Sequence, residues 1–112
     1  MAASSTNNPF AHILDKNKLS GTENFKDWEM DLRIFLDSEK TMYILDNAMP
    51  IVIPEESTPE EQETFQKWKD DNLRVRSYIL SSMSPELKRQ YVHAPDSYSI
   101  MTRLRELFMN QE

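Results

Sequence analysis

Cysteine is absent from this chain of 112 residues, and glycine occurs once, at Gly21. Without cysteine the protein forms no disulfides and offers no thiolate ligands, which excludes a cysteine-rich secreted scaffold and a zinc knuckle. With a single glycine it also lacks the glycine-rich phosphate loops of nucleotide-binding folds and the tight hairpins of all-β folds. These absences leave an all-α fold as the expectation.

The chain is also short of long hydrophobic runs and of positive charge. No uninterrupted apolar run approaches the twenty or so residues that a bilayer-spanning helix needs, so we expect no membrane span. The start, residues 1–8, resembles no secretory signal, which favours a cytoplasmic protein. Thirteen basic against nineteen acidic residues give a net charge of −6, whereas a protein that binds nucleic acid through phosphates is expected to be basic.

Two amphipathic segments precede the central prolines. Thr22 or Asn24 can cap a first helix, which follows a predicted turn at residues 19–21. Its apolar residues recur every three or four positions, as on one face of an α-helix: Phe25, Trp28, Leu32, Phe35 and Leu36. A shorter helix is expected at residues 41–46, with three buried apolar side chains: Met42, Tyr43 and Leu45.

Residues that start helices predict three more of them. Thr58-Pro59, followed by Glu61, combines a capping box with proline at the first helical position. The long helix that starts there carries an apolar stripe, with Asn72 in register: Phe65, Trp68, Val75, Ile79 and Met83. Ser84-Pro85 starts a short helix with Leu87 and Tyr91, and Asp96 or Ser97 caps a final one. Its expected stripe is Ile100, Met101, Leu104, Leu107 and Phe108.

These elements predict one compact all-α bundle of about five helices. Residues 47–57, which contain Pro50 and Pro54, are expected to form an extended loop between the second and third helices. Residues 1–12 are interpreted as a flexible tail and residues 13–112 as the helical domain. Because no glycine or proline ends the last helix, we expect the domain to be truncated from a longer chain.

No residue pattern points to catalysis, a metal or a cofactor. His12 and His93 have no second histidine at ligand spacing. Five glutamates lie where the helix dipole already favours negative charge: Glu55, Glu56, Glu60, Glu61 and Glu63. Asp70 and Asp71 are expected on a solvated helix face among basic neighbours, and the serines at positions 81, 82 and 84 lack the glycines of a nucleophile elbow. We therefore expect no enzyme and no small-molecule substrate.

Two features leave alternatives open. Trp28 and Trp68 could stack on a ligand, but both keep the register of their apolar stripes, which favours core packing. The methionines could form an adaptable binding groove or simply fill gaps in the core, and gap filling is favoured. Met30 and Met109 are the exceptions, because each lies off the main stripe of its helix and is expected at the surface.

Charge is distributed unevenly along the chain. From Leu73 to Gln111 there are 6 basic and 3 acidic residues, whereas residues 1–56 hold 5 basic and 10 acidic ones. The six basic residues include Lys88, Arg89, Arg103 and Arg105. Such polarity could orient head-to-tail contacts between copies of the domain, although helix-dipole complementation explains part of it.

Three blocks of sequence resemble a known family. The first runs from Ile13 to Gly21 (ILDKNKLSG) and continues through Asn24, Phe25, Trp28 and Leu32. The second comprises residues 68–71 (WKDD), Val75-Arg76 and residues 79–87 (ILSSMSPEL), and the third has Tyr98, Met101, Arg103-Leu104 and Leu107-Phe108. Together they resemble the start of the Gag polyprotein of copia-type long-terminal-repeat retrotransposons, particularly those of plants. One departure is the spacing of Gly21 and Asn24, which are separated by two residues instead of one.

The resemblance implies a capsid N-terminal domain that self-associates into virus-like particles in the cytoplasm. Contacts between copies would be individually weak, and element RNA would be bound only through other parts of the polyprotein. The positions that match the family and are expected in the core are Leu19, Gly21, Phe25, Trp28, Leu32, Trp68, Ile79, Leu80, Met83, Leu87, Leu104 and Phe108. No assembly interface is identified by the match. The alternative is a domesticated Gag-derived adaptor that binds a protein partner and forms no particle.

Overall fold

A computed structural model describes residues 16–51 and 55–109, and all regular secondary structure within these ranges is α-helical. The helices are α1 (Thr22–Ser38), α2 (Tyr43–Asp46), α3 (Pro59–Ser81), α4 (Pro85–Tyr91) and α5 (Ser97–Phe108). The predicted all-α bundle of five helices, with a proline-containing loop between the second and third, is confirmed. The predicted tail at residues 1–12, His12 and Pro54 lie outside the described residues.

One continuous core joins the five helices, because each contributes an apolar stripe to the same interior. Trp28 and Phe35 from α1, Ile79 from α3 and Met101 from α5 are each at most 1% exposed. Burying a large apolar side chain stabilises a fold by about 1.5–3 kcal/mol, so this shared interior supplies most of the driving force. Edge-to-face packing of Phe35 against Tyr78, with ring centroids 4.5 Å apart, joins α1 to α3.

The start of α1 differs from the prediction. Gly21 occupies the N-cap position, and the predicted cap Thr22 is the first helical residue. The Asn24 side chain lies one turn inside the helix and accepts hydrogen bonds from the backbone N–H groups of Ser20 and Gly21. The predicted turn at residues 19–21 is also wrong, because Leu19 pairs with Met83 in a short parallel β-bridge and Gly21 is extended.

The start signals of the later helices are confirmed by hydrogen bonds. The Thr58 hydroxyl accepts from the Glu61 N–H at 3.1 Å, and the Glu61 carboxylate accepts from the Thr58 N–H at 2.8 Å. Ser84 caps α4 by accepting from the Leu87 N–H. Asp96, one of the two predicted alternatives, caps α5 by accepting from the Ser99 N–H at 2.8 Å.

Two apolar side chains lie nearer the surface than expected. In α2 the buried residues are Ile44 and Leu45, while Tyr43 remains 37% exposed. A four-residue helix is too short for a periodic pattern to fix which of its faces is inward. In α5, Leu107 is 37% exposed because the buried face is completed by Ile100, Met101 and Leu104.

The first part of α3 projects beyond the core. Residues 59–67 are exposed apart from the half-buried Phe65, and the first buried residue of the helix is Trp68. With a rise of about 1.5 Å per residue, this exposed stretch is roughly 13 Å long. It is therefore held by its capping box and by local contacts rather than by the shared interior.

Candidate functional site

The segment before α1 and the connection between α3 and α4 meet in the folded chain. The Leu19 N–H donates to the Ser82 carbonyl at 2.8 Å, and the Ser84 N–H donates to the Leu19 carbonyl at 2.8 Å. The Lys18 ammonium donates to the Ser81 carbonyl, also at 2.8 Å. The segment before α1 is thus fixed along the connection between α3 and α4.

A buried hydrogen bond reinforces this junction. The Trp28 indole N–H donates to the Ser82 hydroxyl at 3.1 Å, and the two residues are 1% and 2% exposed. An indole N–H that is buried needs a partner, and the serine provides one beside the backbone pairing of Leu19. The sequence indicated Trp28 as a core residue but gave no signal that Ser82 would be its partner.

The twelve positions chosen for family resemblance and core packing lie mostly inside the bundle. The following are buried: Leu19, Phe25, Trp28, Leu32, Trp68, Ile79, Leu80, Met83, Leu87 and Leu104. Phe108 is partly buried, with its ring centroid 5.8 Å from that of Phe25. Gly21 is half-buried in extended backbone, which any residue can adopt. None of these positions is therefore an exposed binding residue in the folded domain, and contact with a partner requires other side chains.

An ion-pair network on one side of the bundle was not predicted. Arg33 makes two hydrogen bonds to the Asp46 carboxylate, at 3.0 and 3.1 Å, and so joins α1 to the end of α2. Arg105 from α5 donates to Glu29 at 3.0 Å and lies 3.5 Å from Asp46. The hydrogen bond from Arg33, outweighing partial burial, holds the pKa of Asp46 below its usual value.

Asp71 does not lie on a solvated face as predicted. It is 7% exposed and accepts from the Lys67 ammonium at 2.6 Å and from the Tyr43 hydroxyl at 2.5 Å. Burial alone would raise the pKa of Asp71, but these two hydrogen bonds outweigh it and leave the pKa below its usual value. Burial and the bond to Asp71 raise the pKa of Tyr43. The cluster ties α2 to α3.

The described residues offer no arrangement typical of an active site. Among residues 16–51 and 55–109, no group of three or more histidine, aspartate or glutamate side chains could hold a metal ion. His93 and the glutamates Glu55, Glu56, Glu60, Glu61 and Glu63 are exposed. Ser82 and Ser84 are used in structural hydrogen bonds.

No helix in the described ranges has the length and apolar character needed to cross a bilayer.

Two of the surface recesses in the described part of the chain are candidates for binding a partner. One, of about 260 Å³, lies beside α1 and is lined by Asn17, Asn24, Asp27, Trp28, Met30 and Asp31. Met30 is 59% exposed, and Ile34 extends the apolar surface one turn further. The other, of about 470 Å³, lies beside the projecting start of α3. Its apolar residues are Pro50, Ile51 and Phe65, and its acidic ones are Glu56, Glu60 and Glu61.

A basic surface lies on a different part of the domain. Lys88 and Arg89 occupy the last turn of α4 and are exposed. Arg103 of α5 lies near enough to Tyr91 to oppose the increase in pKa that burial causes in that tyrosine. These cations therefore lie at the end of α4 and on α5, with Arg103 in the neighbourhood of Tyr91.

A comparison of the chain with protein-family models, curated proteins and solved structures finds no match. The function is therefore inferred from the residues of this chain and their arrangement.

Proposed function

We propose that the chain is a structural module that associates with further copies of itself, as the capsid N-terminal domain of a copia-type Gag does. In this role it contributes to virus-like particles in the cytoplasm and catalyses no reaction. RNA is bound by other parts of the polyprotein, because this chain is acidic and has no cysteine for a zinc knuckle.

One observation carries most of the proposal. The residues that resemble Gag are far apart in sequence, yet the first block is joined to the second by the pairing of Leu19 with Met83 and by the bond from Trp28 to Ser82. Phe25 and Phe108 bring the first block into contact with the third. Segments that are separated along the chain but joined in one core are what a single Gag-like domain would require.

Electron microscopy of the complete product of the gene that encodes these residues would test the proposal. We expect closed particles of uniform size, with RNA protected inside them from nuclease. Circular dichroism of the same preparation would establish that the helices are intact. Persistent monomers of folded protein, across a wide range of salt and protein concentration, would contradict the proposal.

The domesticated adaptor is the second candidate, and the recess beside α1 favours it. Met30 and Ile34 are an exposed apolar pair four residues apart, with Asp27 and Asp31 beside them. An amphipathic basic peptide is the partner that such a surface would bind. Titration of the isotopically labelled chain with apolar basic peptides should then shift the amide signals of α1, and Met30→Ser should weaken binding. The absence of shifts with any such peptide would contradict the adaptor function.

A further inference from the structure

The projecting start of α3 combines an apolar recess with a concentration of negative charge. Residues 55–66 contain five glutamates and no lysine or arginine. Ile51 is 93% exposed, the most exposed of the large apolar side chains that the structure describes. Phe65, also at the recess, is covered on one side by the Lys69 ammonium, 5.1 Å from the ring centroid. We call residues 49–51 together with residues 55–66 the acidic arm.

This arm has features that its own fold does not explain. Helices in globular proteins owe most of their stability to packing of an apolar face, yet residues 59–64 of α3 have no buried face. Met49, at 55% exposed, adds further apolar surface beside Ile51. Exposed apolar side chains that are grouped and bordered by charge are typical of interaction sites.

A complementary surface is present on the same chain. Lys88, Arg89 and Arg103 are exposed, with Val92 at 41% and Leu107 at 37% exposed close to them in sequence. We call these five residues the basic face. Arg103 also forms an ion pair with the Glu106 carboxylate, 3.7 Å away, whereas the Asp96 carboxylate caps α5. The cations of the basic face are thus opposite in charge to the glutamates of the acidic arm, and each surface also has exposed apolar side chains.

We propose that the acidic arm binds the basic face of a second copy of this chain, head to tail. The inference rests on the proposed function and gives the self-association a specific pair of surfaces. Arm-to-arm pairing would bring like charges together, which is strongly unfavourable, whereas arm-to-face pairing is complementary. A contact of this kind uses a different surface on each copy, so a bound pair leaves one arm and one face free for further growth.

The contact should be weak in isolation. A recess of about 470 Å³ and the few side chains around it form a small interface, and interfaces at the low end of the size range support only transient association. Repetition of the same contact in an assembly would supply the total strength.

Reversing the charge of each surface in turn tests this pairing, and the test uses the whole chain of 112 residues. The arm variant carries Glu56→Lys and Glu60→Lys and spares Glu61, whose side chain belongs to the capping box. The face variant carries Lys88→Glu and Arg103→Glu. The matched control carries Glu23→Lys and Asp37→Lys, which change the net charge by the same amount as the arm variant but lie at exposed positions of α1 outside both recesses.

Sedimentation at millimolar protein and low salt should show association of the unmodified chain and of the control. Each of the arm and face variants alone should associate at least about tenfold more weakly, because like charges then meet in the contact. Mixing these two variants should restore association. The lysines in the arm of one variant then meet the glutamates in the face of the other, and the unmodified arm meets the unmodified face. Ile51→Ser should also weaken association, and it separates loss of the apolar contact from any fraying that the lysines cause in the arm.

Three outcomes of the sedimentation experiment would overturn the inference. These are a monomeric unmodified chain under all these conditions, equal weakening of the arm variant and the control, and no restoration on mixing. The proposed function is decided separately, by whether the complete gene product forms particles. Particles that persist in the arm variant would overturn the pairing and leave the function standing.

Discussion

The Trp28 indole N–H and the Ser82 hydroxyl form a buried hydrogen bond of 3.1 Å that links two segments 54 residues apart in sequence. Ser82 also donates to the Ile79 carbonyl at 3.1 Å, so it fixes the end of α3 while it accepts from α1. The bond therefore joins the α3–α4 connection to the centre of the core.

Ser82→Ala should destabilise the domain by about 1–3 kcal/mol, because it leaves a buried indole N–H without a partner. Ser81→Ala is the matched control, since Ser81 is exposed, and it should change the free energy of unfolding by less than about 0.5 kcal/mol. Denaturant unfolding followed by tryptophan fluorescence measures both. Combining Ser82→Ala with Trp28→Phe should cost less than the sum of the two single changes; strict additivity would show that the bond contributes nothing.

Lys40 is the only non-glycine residue with positive φ in the described ranges, at 63°, and it follows the end of α1. The Thr41 N–H donates to the Leu36 carbonyl and the Lys40 N–H to the Asp37 carbonyl, the arrangement of a Schellman motif in which glycine is favoured. Lys40→Gly should therefore raise the free energy of unfolding by about 0.5–1 kcal/mol. Lys40→Ala keeps the steric penalty of a Cβ and should give no such gain in thermal unfolding. Destabilisation by glycine would contradict this account of the helix end.

Two helix caps should respond differently to the same substitution. Thr58→Ala removes the cap of the projecting part of α3, and Ser84→Ala removes the cap of α4, whose Leu87 and Tyr91 are buried. Each loses about 0.5–2 kcal/mol of cap stabilisation. Because residues 59–64 are outside the core, Thr58→Ala should speed amide exchange there with little change in global stability. Ser84→Ala should lower global stability instead. Equal global losses would mean that the arm is packed against the domain.

Acid should destabilise the domain through Asp46 and Asp71, whose pKa values are lowered on folding. For a group of this kind, the stabilisation is complete above the unfolded pKa, about 3.9 for aspartate, and is lost as pH falls through the lower folded value. In Asp71→Asn the amide does not titrate, so the dependence of unfolding free energy on pH below about 4 should be shallower. Urea unfolding at a series of pH values measures this. Parallel pH profiles for the variant and the unmodified chain would contradict it.

Arg105 should contribute to stability in a way that depends on salt, because it pairs with Glu29 of α1 and lies near Asp46 at the end of α2. Arg105→Ala should cost about 1 kcal/mol at low salt and less when salt is added. Arg105→Lys keeps the charge but not the planar fork, so an intermediate cost is expected. Lys26→Ala, at an exposed position of α1, is the control and should be near neutral. A loss for Arg105→Ala that salt does not alter would assign the effect to packing of its methylene groups.

The helices could be predicted because their signals are local. Thr58, Pro59 and Glu61 lie within one turn of one another, and the stripe of α1 repeats over several turns, so spacing alone identifies the inward face. Tyr43 and Asp71 show the limit of this reasoning. The helix that carries Tyr43 has one turn, and Asp71 is buried only because Tyr43 and Lys67 meet its carboxylate.

The sequence by itself determined the all-α class, the number of helices and most of their first residues, since periodicity, caps and prolines act over a few residues. Only the tertiary structure decided that Leu19 pairs with Met83, that Ser82 accepts from Trp28, and that Arg105 reaches Glu29. Trp28 and Ser82 are 54 positions apart in sequence, and Glu29 and Arg105 are 76 positions apart. Contacts between such distant residues depend on how the helices cross. The same holds for the acidic arm, which is a surface because the first turns of α3 extend past the core.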